Sequence, residues 1–170
     1  TLGTWMLPLP VTIRPSPSNL QDSVTAFCTA ISDRTELGEL FLGHIGAGGS
    51  GHTYGQSTGH MLQPIISPFR QGCISFTLDE LVANGSIQCP DNIKIDVDGI
   101  EHKVTQGLMK TLENDTVKSV LIELNTHLEE HRSLIGELTD LGFELREEVL
   151  ETSLPKEGVW EGIGNHIFYR

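Results

Sequence analysis

Between residues 93 and 101 the sequence reads IKIDVDGIE and sets three carboxylates, Asp96, Asp98 and Glu101, within six positions. Asp96 and Asp98 stand two apart, so a strand running through both would turn them to the same side. Asp98-Gly99 is a turn pair, and Glu101 falls in the first turn of whatever helix follows, where the helix dipole favours negative charge. Carboxylates grouped like this can orient a substrate hydroxyl, accept its proton, or hold a divalent metal. A plain turn followed by a helix cap accounts for the same residues, and both readings stand on these positions alone. A second acidic position, Glu123, comes two residues before Asn125 at the end of the apolar run 117–124 (VKSVLIEL). If the two runs are parallel neighbours, Glu123 meets the first group at one edge of the sheet, where open α/β sheets bind ligands.

Other chemical signals are weaker. Residues 46–51 (GAGGSG) fit G-x-G-x-x-G, but the dinucleotide fingerprint needs a helix to start there, and HTYGQSTG follows with no apolar face. We expect a flexible loop insertion over 46–72. His44, His52 and His60 recur every eight residues around it and read as loop histidines before metal ligands. His102 could serve as a base or lie on a helix surface, and Trp160 could pack in the core or close over a cofactor.

The elements that must position these groups are clearest in the second half. Residues 92–97 (NIKIDV) and 117–124 read as buried parallel strands. Residues 101–112 carry Val104, Leu108 and Leu112 at helical spacing, and residues 128–141 carry Leu134, Ile135, Leu138 and Leu141 ahead of Gly142. Strands are expected at 143–150 and 166–169, the last one antiparallel. In the first half, strands are expected at 11–13, 24–31, 39–45 and 73–76, then a helix over 77–82 capped by Thr77 with Glu80 three residues on. Strands at 11–13 and 24–31 leave about ten residues between them, short of the dozen or so a parallel crossover needs. A segment missing near Asn19 and Leu20 would explain that spacing. The pattern is α/β, a single domain over 1–170.

Composition narrows the partners. With 38% hydrophobic and 20% charged residues the chain is ordinary for a globular protein. Its net charge of -12, with 11 scattered basic residues, argues against nucleic acid. No apolar run approaches the roughly 18 residues of a membrane span. Residues 1–10 are broken by Pro8 and Pro10 and do not read as a signal peptide. Cys28, Cys73 and Cys89 show no C-x-x-C spacing, in keeping with a reducing, cytoplasmic setting.

Taken in order, IKIDVDGIEHKVTQGL, VKSVLIELN, LGFEL and NHIFYR resemble the FkbM family of S-adenosylmethionine-dependent methyltransferases. FTLDELV is similar to the family's LDEL segment, AISDRTELGELFL to its A-x-S-D-x-x-G-x-x-L stretch, and RPSPSN to its EPSPxN strand end. The resemblance implies a Rossmann-like class I methyltransferase sheet, S-adenosylmethionine as cofactor, and methyl transfer to a hydroxyl oxygen of a small metabolite or sugar. It maps Asp96, Asp98, Glu101 and Glu123 onto catalytic positions, and Arg14, Ser32, Asp33 and Asp96 onto the cofactor side. Two departures stand out. The family's glycine-rich D-x-G-A-x-x-G loop belongs ahead of Val11, and residues 1–10 do not carry it, as though the domain were incomplete at its N-terminus. Arg14 replaces a glutamate that bonds the cofactor ribose, and arginine offers no acceptor. The rival expectations are a metal-dependent glycosyl or phosphoryl transferase using Asp96-x-Asp98, and a non-catalytic binding module.

Overall fold

The computed structural model describes residues 25–43, 51–59, 61–146, 158 and 160–170. The expected strand at 11–13, Arg14, the join at Asn19 and Leu20, the glycines at 46–49, and His44 and His60 lie outside them. The fold is α/β, and the described strands form two four-stranded mixed sheets.

The first sheet contains β1 (Ala30–Ile31), β2 (Glu36–Leu42), β3 (His52–Tyr54) and β4 (Phe69–Phe76), in the order β1-β4-β2-β3. It differs from the parallel sheet expected. β1 is parallel to β4, but β2 runs antiparallel to both β4 and β3. The cause is the length of the link: residues 32–35 cannot hold a crossover helix, so the chain reverses across the end of β4. Ser32 N–H donates to Phe76 O at 3.0 Å, and Ser75 Oγ donates to Arg34 O at 2.8 Å, stitching that reversal down. Among the described residues, the strand expected over 24–31 is reduced to its last two, and the one expected over 39–45 begins three residues earlier. β3 and the first four residues of β4 fall within the stretch expected to be a loop.

α1 (Leu78–Ala83) follows, with Thr77 as its cap: Thr77 Oγ1 accepts the Glu80 N–H at 3.1 Å. The second sheet holds β5 (Asn92–Ile95), β6 (Ser119–Asn125), β7 (Glu144–Leu145) and β8 (Ile163–Tyr169), in the order β5-β6-β8-β7. β5 and β6 are parallel, and β8 is inserted antiparallel between β6 and β7. The antiparallel closing strand is therefore as expected, and it begins three residues sooner.

The helix expected over 101–112 is broken. α2 (Glu101–Gln106) ends at Gly107, and α3 (Met109–Leu112) starts anew after Leu108. Gly107 packs against the chain reversal so closely that a Cβ there would lie 2.0 Å from Ser32 O, and Leu108 is 1% exposed. The Ser32 loop and the burial of Leu108 set that bend. α4 (Glu129–Asp140) presents Leu134 and Leu138 to the core and stops before Gly142, whose φ of +86° suits glycine. The main core joins these helices to Val120, Ile122, Leu124 and Phe168 of the second sheet. A smaller one, built on Leu40, Leu42, Tyr54 and Ile100, seats the first sheet against the turn after β5.

Candidate active site

β5 ends at Ile95, so the two-residue alternation expected for Asp96 and Asp98 does not continue through them. Instead the chain makes a tight turn. Asp98 has φ +58° and Gly99 φ +111°, and a left-handed aspartate is uncommon outside such turns. Glu101 holds the turn from beneath. Its carboxylate accepts the Val97 N–H at 3.1 Å and the Gly99 N–H at 3.3 and 3.0 Å, and the residue is 1% exposed. Burial raises the Glu101 carboxyl above its usual range, against the pull of those amide bonds.

The other acidic groups sit around this buckle. Asp96 is paired with Lys94 at 2.9 Å near the surface. Asp98 Oδ2 accepts the Gly51 N–H at 3.1 Å, joining the turn to the start of the β3 region. Glu123, on β6 beside β5, is half-buried; burial raises its carboxyl first, and the charges of Asp96, Glu101 and Asp98 raise it further, with Lys94 opposing. These four carboxylates thus share one rim at the ends of β5 and β6. Glu123 lines a cavity of about 10 Å³ with Gly99, Glu101, Asn125, His131 and Ile163. That is room for about one water molecule. A wider, open groove of about 480 Å³ is bounded by Thr35, Phe76, Glu80, Ala83 and Asn84, away from the carboxylate rim.

Ser32 and Asp33 are placed elsewhere, in the reversal after β1. Ser32 Oγ donates to Asp33 Oδ1 at 3.0 Å, and Arg34 pairs with Asp33 Oδ2 at 2.7 Å. The hydrogen bond from Arg34 is the main reason the Asp33 carboxyl is lowered. Asp33 acts electrostatically on His102 of α2, which is half-buried with its imidazole lowered chiefly by burial. His102 is therefore packed, with its ring 5.8 Å from that of His131 at 45°. Trp160 is 53% exposed and does not enter the core.

His131 is the residue that sequence reasoning passed over. It is 2% exposed, its Nδ1 accepts the Asn125 N–H at 3.0 Å, and its Nε2 lies 3.3 Å from Gly99 O and 3.5 Å from Glu101 Oε2. The signal was its phase: His131, Leu134 and Leu138 are spaced three and four apart on one buried helical face. Asn125 is itself buried; its Oδ1 accepts the His127 N–H at 3.0 Å and its Nδ2 meets Met61 Sδ at 3.0 Å. Among the described residues, no three His, Cys, Asp or Glu side chains are grouped to hold a metal ion, and no helix is long and apolar enough to cross a membrane.

A family profile described as the Methyltransferase FkbM domain matches residues 3–145. The crystal structure of a protein described as Methyltransferase FkbM from Methylobacillus flagellatus KT is similar in fold, with a TM-score of 0.51 and 11% identity. The match covers 90% of this chain and 30% of that one, so the chain spans under a third of that protein's length. No curated protein matches the sequence. With the profile covering most of the chain and the α/β fold shared, this chain belongs to the FkbM methyltransferase family.

Proposed function

We propose that the chain transfers a methyl group from S-adenosylmethionine to a hydroxyl oxygen of a small hydroxylated metabolite or sugar, with Glu123 as proton acceptor. The observation that carries this reading is geometric: a half-buried Glu123 on β6 beside β5, with Asp96, Asp98 and Glu101 gathered at the same rim, surroundings that also raise its carboxyl. A base works best when its pKa is brought toward the operating pH, and these surroundings move Glu123 that way.

The donor set suits the cofactor in sign. Four carboxylates crowd the rim, and Lys94 is the cation that opposes them at Glu123, so a positively charged sulfonium complements the local field. The water-sized cavity is too small for an adenosyl group, so on this reading the cofactor would lie against the outer rim. Asp96, with Ser32 and Asp33 as further candidates, would hold it. When bound, S-adenosylmethionine supplies an electrophilic methyl group.

The chain's own residues do the rest. Glu101 fixes the turn through the Val97 and Gly99 amides, so that Asp96 and Asp98 leave it in set directions. Asp98 holds the Gly51 amide. Glu123 orients the acceptor hydroxyl and takes its proton as the oxygen becomes nucleophilic. Alignment supplies much of the rate in such a displacement, and a rigid turn serves it.

The test is calorimetry with S-adenosylhomocysteine together with transfer of labelled methyl from S-adenosylmethionine to a panel of hydroxylated small molecules. Glu123→Gln should bind the cofactor product within a few-fold of the parent and lose transfer by about 10²–10⁴-fold. A parent chain that fails to bind the product defeats the reading. Binding without transfer to any acceptor makes the chain a cofactor-binding module instead.

A further inference from the structure

We propose that His131 is a positioning residue, whose neutral imidazole pins the end of β6 to the turn after β5 and releases them when it is protonated. The inference rests on the methyl-transfer reading for its functional meaning. The bridge itself rests on the geometry of the buried ring.

Both ring nitrogens are committed. Nδ1 accepts the Asn125 N–H at 3.0 Å, so Nδ1 carries no proton. The proton is therefore on Nε2, which faces the Gly99 carbonyl at 3.3 Å and Glu101 Oε2 at 3.5 Å, two acceptors. One tautomer satisfies every partner. Asn125 is two residues beyond Glu123 on β6, and Gly99 is the second residue of the turn that Glu101 buckles. A ring 2% exposed thus joins the strand carrying the proposed base to the loop carrying Asp96 and Asp98.

Adding a proton to Nδ1 sets an N–H against the Asn125 N–H, donor against donor, around a ring that is 2% exposed. The bridge to β6 must then open. The groups facing the ring are Glu101 and His102 from α2, Glu130 from α4 itself, His166 from β8, and Glu123 across the cavity. Glu130 and the Gly99 carbonyl favour the charged ring, whereas His102 and His166 repel it once they carry charge. Burial outweighs the acidic neighbours and lowers the His131 imidazole. The device therefore holds through neutral pH and opens on acidification, below the ordinary histidine range. Transfer should fail on the acid side before the protein unfolds.

The experiment has two arms. Long-range proton–nitrogen NMR on the 170-residue chain reads the His131 tautomer and follows the Asn125 and Gly99 amides as pH falls. The expected result is an Nε2–H ring, with both amides moving together at one midpoint that lies below the ordinary histidine value. An Nδ1–H tautomer, or amides that move independently of His131, overturns the bridge whether or not the chain methylates. The second arm measures kcat and KM for methyl transfer against pH in the parent, His131→Phe and His131→Gln, with urea midpoints taken for each. Phenylalanine fills the space but joins nothing, and kcat should fall by about 100-fold or more while the protein stays folded. Glutamine can accept from Asn125 and donate to Gly99 without titrating in this range. It should recover most of the loss and remove the acid limb assigned to His131. A glutamine variant with the parent's acid limb, or a folded phenylalanine variant with unchanged kcat, overturns the proposal. Absence of transfer in the parent counts against the methyl-transfer reading, and the NMR arm still decides the bridge.

Discussion

Two glycine-to-alanine substitutions should change stability in opposite directions. Gly107 closes α2 with φ −78° and ψ 1°, angles that alanine adopts freely. Its constraint is spatial: a Cβ would lie 2.0 Å from Ser32 O, 2.9 Å from Ser32 C and 3.4 Å from Asp33 Cα. All three are backbone atoms, so no side chain can swing away. The helix end or the 32–33 reversal has to shift by about an ångström to restore van der Waals contact. That shift strains the Ser32 N–H bond to Phe76 O and the Asp79 N–H bond to Gly107 O at 3.1 Å. Overpacking costs about 1–3 kcal/mol, and each of the two weakened hydrogen bonds adds about 1 kcal/mol, so Gly107→Ala should lose about 3–5 kcal/mol. Gly136 lies exposed within α4, with no atom within 4 Å of its would-be Cβ. Gly136→Ala should gain about 0.5–1 kcal/mol from reduced backbone entropy in the unfolded chain. Urea denaturation followed by circular dichroism measures both. With a slope of about 2 kcal/mol per molar, the midpoint should fall by about 1.5–2.5 M for Gly107→Ala and rise by about 0.3–0.5 M for Gly136→Ala. Equal shifts of one sign, or a Gly107→Ala midpoint within about 0.2 M of the parent, would refute the steric argument.

Three further outcomes follow from the geometry. Arg170 donates to the carbonyls of Val117, Leu141, Leu112 and Asn114 and lies 4.2 Å over the Phe143 ring; Arg170→Ala should cost about 2–3 kcal/mol in urea unfolding. Asp79 of α1 accepts the Thr111 N–H and Oγ1–H, each at 2.7 Å, and the Lys110 N–H at 3.2 Å. Asp79→Ala should cost about 1–2 kcal/mol and speed hydrogen exchange in α3 before the rest of the protein. His102, His131 and His166 are all lowered, chiefly by burial, so the unfolded chain takes up their protons first as pH drops below 6.5. Their contribution is intact above that value and drains away as pH falls toward the lower folded values, at about 1.4 kcal/mol per pH unit for each histidine. The raised Glu101 and Glu123 carboxyls act in the opposite sense, since the folded protein takes up their protons first. His166→Phe should therefore show a shallower loss than the parent in urea midpoints between about pH 6.5 and pH 5.5, and an unchanged slope would count against burial as the cause.

Much of the second sheet was legible because its signals are local. The run that became β6 shows as a near-continuous apolar stretch of strand length, and α4 as a three-and-four spacing of apolar residues. Thr77 with Glu80 marked the start of α1 for the same reason, since a cap is satisfied by atoms three residues away. The acidic positions were legible as residue types. Their roles were not, because Asp96 turned to Lys94, Asp98 took a left-handed backbone to reach Gly51, and Glu101 folded under the turn. Lys94 and Gly99 lie within the run IKIDVDGIE, but only the folded turn selects them, and Gly51 is 47 residues from Asp98.

The sequence by itself determined the α/β class, the carboxylate-bearing turn between a strand and a helix, and the family. Each rests on patterns a few residues long, or on their order along the chain. Tertiary structure alone decided that β2 runs antiparallel, that Gly107 breaks a helix against Ser32, and that His131 bridges Asn125 to Gly99. The physical reason is that a buried polar group must find its partner wherever packing brings one. For His131 that partner is 32 residues away at Gly99, beyond the reach of any local periodicity.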